Sequence, residues 1–148
     1  MAIVDQYLAG NLFSNGLNQY TGKNIFFLQS LAAVDTGAAK YSTLQLNGAN
    51  YQVPVGKTLV VVAYAATNDS ASTYTGSDLA YSDNAVSSST SLTNPVSLMP
   101  KIISQPLQAT LNYHPCLVKV PAQKYLNLGS RVTSGTMFLM CYVFCYLE

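Results

Sequence analysis

Thr58-Leu59-Val60-Val61-Val62-Ala63-Tyr64-Ala65-Ala66-Thr67 holds ten residues without a charge, dense in β-branched side chains. Such a run fits a pleated strand better than a helix, and it is apolar at odd and even positions alike. Both of its faces must therefore be covered, as in the core of a sandwich. A second run, Met137-Phe138-Leu139-Met140-Cys141-Tyr142-Val143-Phe144-Cys145-Tyr146-Leu147, repeats the pattern near the end of the chain. It places thiol and aliphatic side chains on one face and a mainly aromatic set on the other. At eleven residues it is too short for a membrane helix, which needs ~20.

Working outward, other segments read as strands. Ile25 to Leu31 is apolar and bounded by Asn24 and by the Asp35-Thr36-Gly37 turn. Tyr41 to Leu46 alternates polar and apolar, meets Asn47-Gly48, and returns through Ala49 to Val53. Asn-Gly suits a two-residue type I′ turn, because both central residues need positive φ. Asn68 to Asn94 is rich in Ser, Thr, Asp and Asn, interrupted at Leu79-Ala80-Tyr81. It reads as a polar excursion holding one or two short strands. Leu107 to Tyr113, Cys116 to Val120, Lys124 to Leu128 and Thr136 to Leu147 complete the set. No segment after residue 10 has a helical period. Seven to nine short strands between turns imply an all-β chain, a jelly-roll-like β-sandwich over residues 25–148.

Residues 1–24 differ. Ile3, Val4, Tyr7 and Leu8 have the spacing of a short amphipathic helix, and Gly10, Asn15-Gly16 and Gly22 then interrupt any regular element. They form an irregular N-terminal arm. Leu12, Phe13 and Leu17 suit either an arm lying on a neighbouring subunit or a flap folded over its own sheet.

Charge is scarce. Seven Lys/Arg and six Asp/Glu make up 9% of 148 residues, and the net charge is +1. A typical soluble domain carries ~25%. Little repulsion keeps copies apart, so a surface largely covered by copies of itself or by a partner is expected, in an oligomer. The six lysines and one arginine are scattered singly, which argues against nucleic-acid and anionic-membrane partners. The N-terminus lacks the basic region of a secretory signal.

Catalytic and metal chemistry find little support. His114, the lone histidine, precedes Pro115 and is read as a polar residue ending a strand. Cys141 and Cys145 would lie ~13 Å apart along a strand, too far for a disulfide or one zinc. With Cys116 they read as reduced, structural thiols. Asp78 and Asp83 flank the short strand at 79–81; as a pair they would serve glycoside hydrolysis or calcium, but read as turn formers. Gly56-Lys57-Thr58 ends like a phosphate loop, yet position 51 is Tyr51 and Pro54 removes an amide. No catalytic, cofactor or metal residue is assigned. The eleven tyrosines suit protein interfaces, and a carbohydrate-binding module second.

Val53-Pro54-Val55-Gly56-Lys57-Thr58-Leu59 and Val120-Pro121-Ala122-Gln123-Lys124-Tyr125-Leu126 share Val-Pro-x-x-Lys-x-Leu. Proline is expected at the first central position of a tight turn, with Gly56 supplying the positive φ of type II. Gln123 in place of glycine predicts another turn type in the second copy.

The first copy, preceded by Tyr51 and followed by a hydrophobic strand, resembles a turn common in jelly-roll virion proteins of tailed bacteriophages. Leu79 to Val86, Thr93-Asn94-Pro95-Val96, and the stretch from Val120-Pro121-Ala122 through Lys124-Tyr125-Leu126 to Ser134-Gly135 are similar too. The resemblance implies a capsid cement or decoration protein, a non-enzymatic structural virion protein that stabilises the phage head. Its partner would be the major capsid protein, its form a homotrimer on a local three-fold axis, and its location the virion after synthesis in the host cytoplasm. The alternatives are a tail-fibre or receptor-binding head and a carbohydrate-binding β-sandwich module.

Overall fold

The run at 59–68 becomes β5, the strand around which one sheet is built. In a computed structural model, residues 22–34, 40–68, 74–102, 105–106, 114–132 and 137–148 are described. Among them the strands are β1 (Phe26–Val34), β2 (Lys40–Thr43), β3 (Gln45–Leu46), β4 (Ala49–Asn50), β5 (Leu59–Asn68), β6 (Tyr74–Ser82), β7 (Val96–Ile102), β8 (Gln105–Pro106), β9 (His114–Val120), β10 (Tyr125–Val132) and β11 (Met137–Leu147). No helix occurs among the described residues, and so none long and apolar enough to cross a membrane.

Two antiparallel sheets carry the architecture. One runs β1-β11-β5-β9, with β3 and β4 beyond β1 and a short parallel contact from β8 to the end of β5. The other runs β2-β10-β6-β7. The antiparallel pairs β1·β11, β2·β10, β5·β9 and β6·β7 nest like the arms of one long hairpin. Rolling that ribbon so that successive pairs fall in alternate sheets gives the two orders above. This is the winding of a jelly roll, and the fold is an all-β sandwich of that kind.

The core between the sheets is aliphatic. Leu28, Leu59, Val61, Val143 and Cys145 from one sheet meet Leu79, Leu126 and Leu128 from the other, and none of them is exposed by more than a trace. Each such side chain contributes ~1.5–3 kcal/mol by leaving water. β11 obeys the alternation expected of it. Cys141, Val143 and Cys145 face the core, and Phe144 and Tyr146 belong to a second cluster on the opposite face.

β5 departs from simple alternation. Leu59 and Val61 face the core, but so do Tyr64 and Ala66, and Val60, Val62 and Ala63 face the other way. The pairing explains the change of parity. Cys145 pairs with Val61 and Phe144 with Ala63, so Val62 is an inserted residue, and the register with β9 shifts at the same point. A bulge inserts one residue and exchanges the faces beyond it.

The Tyr41–Leu46 strand is two strands. Leu44, fully buried, carries the chain from β2 in one sheet to β3 in the other. The Asn47-Gly48 turn is as expected: Asn47 has φ 52° and Gly48 φ 83°, closing β3 on β4 with Leu46 opposite Ala49. The return is shorter than Ala49–Val53, since β4 ends at Asn50 and only Gln52 makes a further bridge, to Tyr125.

The two Val-Pro-x-x-Lys segments lie against each other. Val53 N–H donates to the Lys124 carbonyl at 3.0 Å, and Gln123 N–H donates to the Val53 carbonyl at 2.8 Å. In the rolled ribbon, the link before β5 and the link from β9 to β10 cross between sheets side by side, so the fold itself accounts for their likeness. Two expectations need correction here. Lys57 N–H bonds the Pro54 carbonyl, which puts Pro54 at the first corner and Val55 and Gly56 in the centre, with Gly56 at φ 71°. Gln123 also adopts positive φ, 63°, so the second copy does not escape the left-handed position. Its two backbone bonds, to Val53 and from Gln52 Nε2 to its carbonyl, hold it there. Gln123→Gly is therefore expected to stabilise the fold by about 0.5–1 kcal/mol, and Gly56→Ala to destabilise it by about 1 kcal/mol. Urea unfolding midpoints moving in opposite directions would bear this out.

β7 goes unpredicted because Pro100 lies within it. Proline lacks a ladder donor, which demotes a run as a strand, but β7 is the edge of its sheet, where proline is tolerated. β6 is a nine-residue strand rather than the short interruption at 79–81. His114 opens β9 instead of ending a strand. Residues 1–21 of the expected arm at 1–24, the turns at Asp35-Thr36-Gly37 and Ser134-Gly135 and the strand at 107–113 lie outside the described residues.

Candidate functional site

Chemistry-bearing side chains are dispersed over the sandwich. His114 stacks on Tyr64, ring centroids 5.1 Å apart, and its Nε2 is buried without a hydrogen-bond partner. Cys116, two residues on, turns its Sγ toward the Val61 carbonyl at 3.9 Å. No thiol is bonded to another. Burial pushes the Cys116 thiol up to about 11 and Cys141 to about 12, and Cys145 is raised by the same cause. A thiolate is the nucleophilic form, and burial disfavours it at all three. Among the described residues no three of His, Cys, Asp and Glu gather as a metal would require.

Asp78 and Asp83 are not a pair. Asp78 sits within β6, and Asp83 follows its end. Asp83 forms an ion pair with Lys124 and accepts from Asn94 Nδ2 at 2.7 Å. Those hydrogen bonds hold its carboxyl below the usual range. With Asp83 N–H donating to the Thr93 carbonyl and Thr93 N–H donating to Asn84 Oδ1, the aspartate closes the base of the connection from β6 to β7. Lys57 of the apparent phosphate loop is simply the last corner of a turn.

The densest polar constellation lies on the outer face of the β2-β10-β6-β7 sheet. Leu126 and Leu128 point into the core, so Asn127 between them points outward, yet it has no exposed surface. It accepts from Thr43 Oγ1 at 2.6 Å and donates through Nδ2 to Ser82 Oγ at 2.9 Å and to the Tyr125 carbonyl at 3.1 Å. Residues 84–89 close over this face. Ser82 Oγ donates to the Asn84 carbonyl, Val86 N–H donates to Thr43 Oγ1, and Ser88 N–H donates to Ser42 Oγ. Tyr41 and Ser89 exchange backbone bonds and Thr43 N–H meets the Val86 carbonyl, which pairs the free edge of β2. An edge covered in this way is closed to further strand addition.

Beside it, one row crosses three strands: Tyr41 on β2, Gly129 on β10 and Asp78 on β6, in register. Tyr41 Oη donates to Asp78 Oδ2 at 3.2 Å across the glycine. A Cβ at position 129 would overlap Asp78 Oδ1 and the Tyr41 ring, so glycine is required for this crossing. Burial raises the Asp78 carboxyl above its ordinary value and also raises Tyr41, which the neighbouring carboxylate pushes up further. A raised carboxyl destabilises the folded state when it is ionised; this cost begins to fall as pH drops through the folded-state pKa and is gone below the unfolded-state value. Asp78→Asn, which keeps an acceptor for Tyr41, is expected to raise the melting temperature at neutral pH. The gain should vanish toward acid pH; a gain that persists there would contradict the assignment.

Chemically the row is an internal brace: its aromatic ring and carboxylate bind each other. The sequence signal that would have found it is the glycine in a strand, which marks a close approach. No family model matches the chain, and no curated protein or solved structure matches it either.

Proposed function

We propose that this protein is a non-enzymatic structural component of a virus particle, a decoration protein that clamps the head of a tailed phage. The reading rests on fold-level analogy together with one observation about the surface. Jelly rolls of two four-stranded sheets serve in viral capsids, in lectins and in cupins. A charge-poor exterior favours the first of these. Among the described residues, Lys119 pairs with Glu148 and Lys124 with Asp83. Elsewhere large apolar side chains face water: Val55 at the tip of its turn (78% exposed), Leu117 on β9 (65%) and Val96 on β7.

The mechanism is stapling. Uncharged faces bury area against the major capsid protein at the junctions between capsomers, and a homotrimer places three such contacts on one axis. Individual contacts stay weak while many act together. Purified protein added to particles that lack it should bind to saturation and raise the temperature at which they rupture. Absence of binding, combined with capture of a glycan by the isolated chain, would replace this reading with the receptor-binding or carbohydrate-binding alternative.

A further inference from the structure

Asn47 stands at the tip of the β3-β4 hairpin with Gly48 directly after it, and both are exposed. A Cβ built on Gly48 would meet nothing within 4 Å, so the space around this residue is open. Glycine also brings no side chain of its own to shield its amide nitrogen. The Asn47 carboxamide has no hydrogen-bond partner among the described residues. A carboxamide carbon one residue before an unshielded amide nitrogen is an electrophile within its reach, because bond formation closes a five-membered ring.

Among the described residues no other asparagine combines these features. Asn94 precedes Pro95, whose nitrogen carries no hydrogen to lose. Asn127 is buried and bonded through both ends of its amide. Asn84 Oδ1 accepts from Thr93 N–H at 2.7 Å, and Asn50 Oδ1 accepts from Gln45 Nε2 at 3.3 Å. The residues after these two, Ala85 and Tyr51, carry side chains beside the nitrogen that would attack. Asn24 and Asn68 are followed in sequence by Ile25 and Asp69, so they too lack the glycine.

We propose that Asn47 is a site of spontaneous deamidation, with water as the co-reactant. The Gly48 nitrogen gives up its proton to hydroxide and attacks Asn47 Cγ. The new C–N bond expels the side-chain nitrogen as ammonia and leaves a succinimide. Water then opens either ring carbonyl, giving aspartate or isoaspartate at position 47. The turn gates this step, since the pairing of Leu46 with Ala49 fixes its backbone at φ 52° and 83° and ring closure needs that backbone to rotate. β4 is the edge of its sheet, and the tip lies beyond the bond from Tyr51 N–H to the Leu44 carbonyl at 3.1 Å, so it opens without disturbing the core. Aspartate keeps the left-handed backbone that the position needs. Isoaspartate adds a methylene to the main chain, which a two-residue type I′ loop does not accommodate, and the Leu46–Ala49 pairing is lost. Either product lowers the formal net charge from +1 to 0, one carboxylate replacing one amide. The inference does not depend on the virion reading and holds whatever the chain binds.

The test holds the full chain in mildly alkaline buffer over weeks, beside a free peptide of sequence 41–57 as a clock. Samples are digested with trypsin in water enriched in heavy oxygen, which marks any conversion during work-up. Lys40 and Lys57 bound a tryptic peptide that carries Asn47 and Asn50 together. Fragmentation assigns the amide-to-acid mass gain to one of them and separates aspartate from isoaspartate. Conversion of Asn47 is expected within about tenfold of the free peptide's rate, since local opening at a sheet edge costs little, with Asn50 unchanged. The rate should rise with pH, and Asn47→Gly, which keeps the turn, should leave the peptide unconverted. Asn50 or Asn84 converting ahead of Asn47, or Asn47 converting more slowly than that, would overturn the proposal.

Discussion

Asn127→Ala is expected to destabilise the fold by about 3 kcal/mol and to lower the melting temperature by roughly 6–12 °C. The substitution takes the acceptor from Thr43 Oγ1 and the Asn127 donor from Ser82 Oγ and the Tyr125 carbonyl, where Asn127, Thr43 and Ser82 are all buried. A buried polar group stripped of its partner costs ~1–3 kcal/mol, and members of one network fail together. Loss of this size is a large part of the ~5–15 kcal/mol that holds a domain folded. The damage should also be local. Val86 is tied to this network through Thr43, so its amide should exchange faster, and those of β5 and β11 should keep their protection. An unchanged melting temperature would mean that the connection over this face does not depend on Asn127.

The second large effect runs against an ordinary rule. Glycine inside a strand normally weakens it, so Gly129→Ala would be expected to help. Here the added methyl meets the Tyr41 ring and the Asp78 carboxylate, and crowding of that kind costs ~1–3 kcal/mol. Gly129→Ala is expected to destabilise by about 2 kcal/mol, and Gly129→Val by more. In a background that carries both Tyr41→Ala and Asp78→Ala the same methyl finds room, and the penalty should largely disappear; such non-additivity is the signature of direct contact. A stabilising Gly129→Ala in the wild-type background would contradict the geometry.

Much of the architecture is legible in local sequence, for physical reasons that also explain what is hidden. β11 announces its two faces because each is filled by a distinct kind of side chain, and Asn47-Gly48 announces its turn because few residue pairs accept positive φ together. β5 is legible as a strand but not in its bulge, since Val60, Val61, Val62 and Ala63 are all apolar and a slipped parity leaves no trace in composition. β6 hides because Tyr74 to Asp78 is polar, and β7 hides behind Pro100, whose acceptability depends on edge position, a property of the folded sheet alone. Gln123 misleads in the opposite way: propensity argues against its left-handed backbone, and two bonds from the neighbouring corner overrule it.

The polar constellation was less legible than the fold. Asp78 and Asp83 are five residues apart and invite pairing, yet one braces Tyr41 and the other anchors Lys124 and Asn94. Asn127 gives no local signal at all, flanked as it is by leucines in a strand. Its importance arises from Thr43 and Ser82, brought to it from 84 and 45 residues away.

Low charge joins the sequence to the function proposed for it. A protein that meets water with so few ionised groups is best stabilised by burying its surface against something, and the shell of a particle offers many equivalent sites at once. That claim has a direct measurement. Absolute quantification of this chain by mass spectrometry in purified particles should find it in a fixed ratio to the major capsid protein, at three copies for each occupied three-fold axis. Particles free of the chain, or carrying it only in the handful of copies typical of a tail tip, would contradict the account.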